Sequence, residues 1–215
     1  THRHTLFPYT TLFRSGRIII ASFASLVSRM QQVANAADRH GRKLAFVGSS
    51  MVDNAKMARK LGYLEIPDRL LINADQAKSL KDEEVVLMCT GSQGEPTSIL
   101  GRLSMGTHRS LEIKPGDTVV LSSHPIPGNE ETVYRTINRL FQLGAEVIYE
   151  AIAPVHVSGH ASQEEMKLML NLVRPRFFIP IHGEARQLKR HAHIAQQLGI
   201  APENIAVIDN GQVIE

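Results

Sequence analysis

From residue 16 onward, short apolar runs alternate with amphipathic stretches, and glycines punctuate the joins. Residues 17–21 (Arg-Ile-Ile-Ile-Ala) form a short continuous apolar strand, 85–89 (Val-Val-Leu-Met-Cys) the clearest buried one, and 44–47, 118–121 and 145–149 read as further strands. Runs of this kind suit strands covered on both faces. Residues 69–72 form a weaker strand candidate. Between them, residues 22–39 carry Phe23, Leu26, Val27, Met30 and Val33 at helical spacing, with Gly41 as the stop. Residues 49–61 and 129–143 read as two more helices, ended by Gly62 and Gly144. Strand, helix and glycine stop recur four times. That alternation predicts an α/β fold with a largely parallel sheet. In such sheets the functional loops leave the carboxyl ends of the strands.

The last third follows the same grammar. Ser162-Gln163-Glu164-Glu165 is a capping box, in which hydroxyl and carboxylate exchange hydrogen bonds with first-turn amides. The helix it opens places Met166, Met169, Leu170 and Val173 at core spacing, and Arg174-Pro175 ends it. Residues 176–181 predict a buried strand that delivers His182 to its carboxyl end. Residues 184–198 predict a helix stopped by Gly199. Residues 205–208 and 212–214 predict a closing hairpin around Asp209-Asn210-Gly211. No linker, low-complexity stretch or close repeat interrupts the chain. Residues 1–15 have neither helical nor strand period and no acidic residue, and are read as a non-native or disordered tail. The His2 and His4 pair there is read as solvent-facing.

Composition narrows the class. The 215 residues suit one large domain or two small ones. With 43% apolar residues, no Trp and 5% aromatics, the core must be mostly aliphatic. A net charge of +3 and a pI near 9.1 permit a polyanionic partner without demanding one. The single cysteine, Cys89, excludes an internal disulfide and a cysteine-based zinc knuckle, and fits a reducing, cytoplasmic setting. No apolar run approaches the roughly 18 to 20 residues that span a bilayer.

The candidate chemistry lies in three loops. Thr90-Gly91-Ser92-Gln93-Gly94-Glu95-Pro96 follows a buried strand and offers backbone amides that could cradle a phosphate. It lacks the Gly-Lys-Ser/Thr ending of a Walker loop, so on spacing alone an ordinary strand-to-helix turn is the better reading. Pro154-Val155-His156-Val157-Ser158-Gly159-His160-Ala161-Ser162 leads into a helix N-terminus, whose partial positive charge favours an anion. A histidine beside that anion can donate a proton to a leaving oxygen. Pro180-Ile181-His182-Gly183-Glu184 puts a histidine at a strand end, free to face a cleft as a metal ligand. Glu184 either orients that histidine or serves the next helix. Taken singly, His182 is better read as a structural residue; as a pair in these settings, His160 and His182 point to function. His191 and His193 are read as helix surface, and His124 is left open. The sequence has no His-x-His-x-Asp-His cluster, and a hydrolytic zinc takes three or more protein ligands.

Together and in this order, Ala21-Ser22-Phe23-Ala24-Ser25, Thr90 to Pro96, His156 to Ala161 and Pro180 to Glu184 resemble ribonuclease J. That family belongs to the β-CASP group of metallo-β-lactamase-fold nucleases. The resemblance implies a Rossmann-like parallel-sheet β-CASP domain over residues 16–146. Residues 147–215 would be the returning C-terminal segment of a metallo-β-lactamase αββα domain. It also implies that the chain is part of a longer zinc-dependent ribonuclease, acting in rRNA processing and mRNA decay as an endonuclease and a 5′-to-3′ exonuclease. His160 would be catalytic, assisting the scissile phosphate, and His182 a ligand of a two-zinc centre. His156, Val157, Ser158, Gly159, His160, Ala161 and Ser162 would hold a substrate phosphate, with Ser92, Gln93 and Gly94 as further loop contacts. The implied partners are RNA, 5′-monophosphorylated, and further copies in a homodimer or homotetramer; no membrane is implied. The remaining metal ligands are absent from this sequence, so the segment alone is expected neither to bind two zincs nor to cleave RNA. A DNA-acting β-CASP nuclease and a non-catalytic RNA-binding or assembly module are the rivals.

Overall fold

The computed structural model describes residues 16–157 and 159–214, which fall into two compact units divided between Val157 and Ser158. The tail expected at residues 1–15, with His2 and His4, lies outside the described residues, as does Ser158.

The first unit is a five-stranded parallel sheet in the order β2-β3-β1-β4-β5. Its strands are β1 (Ile18–Ala21), β2 (Lys43–Val47), β3 (Val85–Cys89), β4 (Thr118–Leu121) and β5 (Glu146–Ile148). The helices are α1 (Val27–Arg39), α2 (Ser49–Lys60), α3 (Ala74–Ser79), α4 (Ile99–Ser104) and α5 (Glu130–Gln142). Every residue of β1, β3 and β4 is buried, as continuous apolar runs demand. Successive residues point to opposite faces. Ile19, Leu87 and Val119 therefore join a core with Leu100, Leu103, Ile137 and Leu140 from α4 and α5. Ile20, Met88 and Val120 join another with Met30, Val33, Met51 and Ala55 from α1 and α2. A helix layer thus covers each face of the sheet, the α/β architecture expected from the sequence.

Buried charge locks the amino ends of the strands. Asp117 is 1% exposed, and its carboxylate takes Arg17 Nε at 3.0 Å and Arg17 Nη2 at 2.6 Å. The Lys114 amide donates to Asp117 Oδ2 at 2.8 Å, and Arg17 Nη2 also donates to the Glu112 carbonyl at 2.7 Å. Both Asp117 oxygens and the Nε and Nη2 groups of Arg17 are hydrogen-bonded, which offsets much of the cost of burying the two charges.

Several expectations are corrected here. Residues 22–26 are loop and turn before α1, and Phe23 faces solvent. Residues 69–72 make only an isolated bridge, Leu44 to Leu71. The short helices α3 and α4 went unread because six residues are too few to display a period.

In the second unit, α6 (Gln163–Val173) and α7 (Ala185–Gln197) pack through Leu170, Ile194 and Ala195, with Met166, Phe178, Leu198 and Ile205 around them. The expected buried strand at 176–181 is a single bridge: Phe178 donates to the Asn204 carbonyl, and its own carbonyl accepts from Ala206. Phe177, Ile179 and Ile181 are exposed, Ile181 at 76%. Met169 and Val173, expected in the core, are 62% exposed. The hairpin at 205–214 is reduced to the turn at Asp209–Gln212, with no strand on either side among the described residues. A strand buried on both faces needs neighbours to pair with and layers to cover it, and two helices do not supply them.

Candidate functional site

The capping box forms as read. Ser162 N donates to Glu165 Oε2 at 2.7 Å, and Glu165 N donates to Ser162 Oγ at 3.3 Å. Those hydrogen bonds hold the Glu165 carboxyl below the usual carboxylate range. The Ser162 amide is thus engaged within its own helix start. Gly159, His160 and Ala161 remain exposed just ahead of it.

His160 and His182 meet. Their rings stack with centroids 5.9 Å apart and 21° between planes. His182 has a backbone φ of 63°, the left-handed region that a non-glycine residue enters at a cost of about 1–3 kcal/mol. Such strain is characteristic of sites where the surroundings dictate the backbone. Glu184 does not serve His182. Its amide donates to Gln187 Oε1 at 2.8 Å and its carboxylate accepts from Arg186 Nε at 2.7 Å, so it belongs to the start of α7.

His160 lines a cleft of about 480 Å³ with Glu165, Met166, Met169, Phe178 and His191. His191, expected on the helix surface, is half-buried there, edge-on to Phe178 at 4.9 Å, and burial lowers its pKa. Helical period alone would have separated it from His193, which is exposed and pairs with Gln197. What the sequence could not show is that residue 178 folds back onto α7.

In the first unit, two donors fix the backbone ahead of His156. Arg29 Nη1 at 2.9 Å and Ser122 Oγ at 2.8 Å both donate to the Val155 carbonyl. His156 is half-buried, and its Nδ1 is enclosed without a partner. Its pKa is lowered, first by burial and then by the charge of Arg29. Val157 is exposed.

The loop after β3 departs from expectation. Ser92 and Gln93 are buried and Gly94 is closed against α5, where a Cβ would lie 2.6 Å from the Thr132 carbonyl oxygen. Gln93 Nε2 donates to Ser123 Oγ and to the His124 carbonyl, and Gln93 Oε1 accepts from the Ile126 amide. These buried side chains hold a neighbouring loop. His124, left open by sequence, pairs through Nδ1 with Glu150.

Among the described residues no three His, Cys, Asp or Glu side chains converge on a metal position. A zinc site takes three or more protein ligands, so the described residues do not by themselves fit one. Burial pushes the Cys89 thiol up to about 12.

Residues 15–140 match the family model for the ribonuclease J β-CASP domain. The chain belongs to the ribonuclease J family. Residues 144–207 match the model of a Zn-dependent metallo-hydrolase RNA specificity domain. The chain is 48% identical to ribonuclease J of Synechocystis sp., over 93% of this chain and 31% of that protein. It is 50% identical to ribonuclease J of Thermus thermophilus, over 92% of this chain and 34% of that protein. Against ribonuclease J2 of Bacillus subtilis the identity is 46%, over 93% and 36%. The chain thus spans about a third of the length of these relatives. No helix among the described residues is long and apolar enough to cross a membrane.

Proposed function

We propose that this chain is the β-CASP and RNA-specificity portion of a zinc-dependent ribonuclease. The observation that carries the reading is the face-to-face pairing of His160 with His182, two histidines from separate loops of a family-matched segment. In this reading His160 donates a proton toward the leaving oxygen of the scissile phosphodiester. In this reading residues 156–161 hold a substrate phosphate. His182 is one ligand of a two-zinc centre whose other ligands lie on protein outside these residues; bound there, the metal would supply Lewis-acid chemistry. The exposed apolar side chains of the second unit, Leu172, Phe177 and Ile181 among them, pack in this reading against the rest of a metallo-β-lactamase domain. The parent enzyme is cytoplasmic, cuts RNA both internally and from a 5′-monophosphate end, serves rRNA processing and mRNA decay, and assembles as a dimer or tetramer.

The test joins residues 16–214 to the remaining length found in its relatives. His160→Ala should lower turnover by about 100-fold or more while RNA binding is kept. Loss of binding alone would favour the RNA-binding module instead. His182→Ala should lower the zinc content of that longer chain. The present chain by itself should take up no stoichiometric zinc, and one tightly held zinc per chain would falsify this assignment of ligands.

A further inference from the structure

A second recess lies in the first unit, at the carboxyl ends of β4 and β5, where parallel α/β sheets offer ligand crevices. It has a volume of about 280 Å³, at the small end of the range for ligand pockets. That suits one flat ring system better than a whole dinucleotide. Tyr134 of α5 and Tyr149 after β5 both line it, their rings 6.3 Å apart and 85° to one another. One ring therefore stands as a wall beside the other, and Pro125 and Val133 complete an apolar lining.

The polar rim is acidic. Glu150 is tied through Oε2 to His124 Nδ1, leaving Oε1 as an acceptor. Glu130, also at the rim, takes the Gly128 amide. Ser123 is already engaged, donating to the Ser92 carbonyl at 3.0 Å and accepting from Gln93. Two carboxylates repel a phosphate, so the recess does not suit the nucleic-acid backbone. They suit an amino donor. The rim is also preorganised, because the buried Gln93 side chain clamps both the His124 carbonyl at 2.9 Å and the Ile126 amide at 2.8 Å. A ligand here would not have to order that loop, which removes a common cost of binding. His156, at the start of the proposed phosphate loop, lies within electrostatic reach of both Glu150 and His124.

We propose that this recess is a subsite for a single unpaired nucleobase carrying an exocyclic amino group, stacked on one tyrosine ring and edge-on to the other, with its amino group donating to Glu150. The proposal deepens the RNA reading above and rests on it. Cytosine N4 and adenine N6 present the required donor, whereas uracil presents a carbonyl in that position. Guanine N2 is also an exocyclic amino donor, so the site selects cytidine, adenosine or guanosine over uridine.

The chain has four tyrosines and no tryptophan, and two of the four line the recess, so the part of the tyrosine fluorescence change that is lost in Tyr134→Phe reports on stacking there. Short oligocytidylate and oligouridylate are titrated into the chain as it stands. Oligocytidylate should bind about tenfold tighter than oligouridylate. Tyr134→Ala should weaken oligocytidylate about tenfold, and Tyr134→Phe should restore it. Glu150→Ala, which removes the acceptor, should erase the preference for cytidylate with little change in uridylate binding, and it tests the site even should Tyr134→Ala fail to fold. RNA binding that is indifferent to all these changes overturns the subsite and leaves the RNA reading standing. No RNA binding by the unaltered chain overturns the RNA reading for this segment, and the subsite with it.

Discussion

The two units solve the problem of burial differently. In the first, the central strands are covered on both faces, and Leu44, Leu87 and Leu121 are at most 1% exposed. In the second, two helices share a small contact, while Leu168, Leu172, Phe177 and Ile181 each stand more than half exposed. Similar apolar runs thus have opposite fates. Their hydrophobicity is comparable, and what differs is the number of neighbouring layers each unit supplies. A parallel strand hides its side chains only when sheet partners flank it and helices cover both faces, and residues 176–181 have one bridge.

The strongest way to break this comparison is to disable the first unit's buried charge. Asp117→Ala strands Arg17 in an enclosed site and should cost about 3–5 kcal/mol, measured by urea unfolding. A loss under about 1 kcal/mol would mean the pair is not part of what holds the unit together. A matched pair of truncations sharpens the contrast. Leu87→Ala should cost about 2–5 kcal/mol. Leu172→Ala, at 73% exposure, should stay within about 0.5 kcal/mol. Equal effects would contradict the difference drawn between the units.

A smaller effect is expected where the first unit grips the approach to His156. Arg29→Gln removes a charged donor from the Val155 carbonyl and should cost about 2 kcal/mol, with Ser122 retaining the other hydrogen bond. An unchanged midpoint would show that Ser122 alone suffices. The mildest test is pH. Burial holds His108 and His156 in the first unit, and His191 in the second, below the ordinary imidazole value. As pH falls, the unfolded chain therefore takes up protons first. The stability these groups allow is complete above about pH 6.5 and declines below it, through the folded pKa values. His156→Gln should flatten part of that decline; an identical pH profile for the variant would remove His156 from the account.

Much of the first unit was legible because buried strands and capped helices are local patterns. The runs at 85–89 and 118–121 coincide with β3 and β4, and the capping box at Ser162 opens α6 as read. The same logic failed at Met169, Val173 and residues 176–181, since periodicity identifies an apolar face without saying what will cover it. At the candidate site, His160 and His182 were singled out from their loops, and the structure brings their rings together. The inward turn of Gln93, the cleft position of His191 and the pairing of His124 with Glu150 were not, because each depends on a partner distant in sequence.

Residue order alone determined the element types: apolar runs make extended segments, amphipathic periods make helices, and Gly41, Gly62, Gly144 and Gly199 end them with the left-handed turn that L side chains resist. Only the tertiary structure decided the strand order β2-β3-β1-β4-β5, the meeting of His160 with His182 and the recess beside Tyr134 and Glu150. Backbone propensity acts over a few residues, whereas these arrangements join residues far apart in the chain and follow from how layers pack once the elements exist.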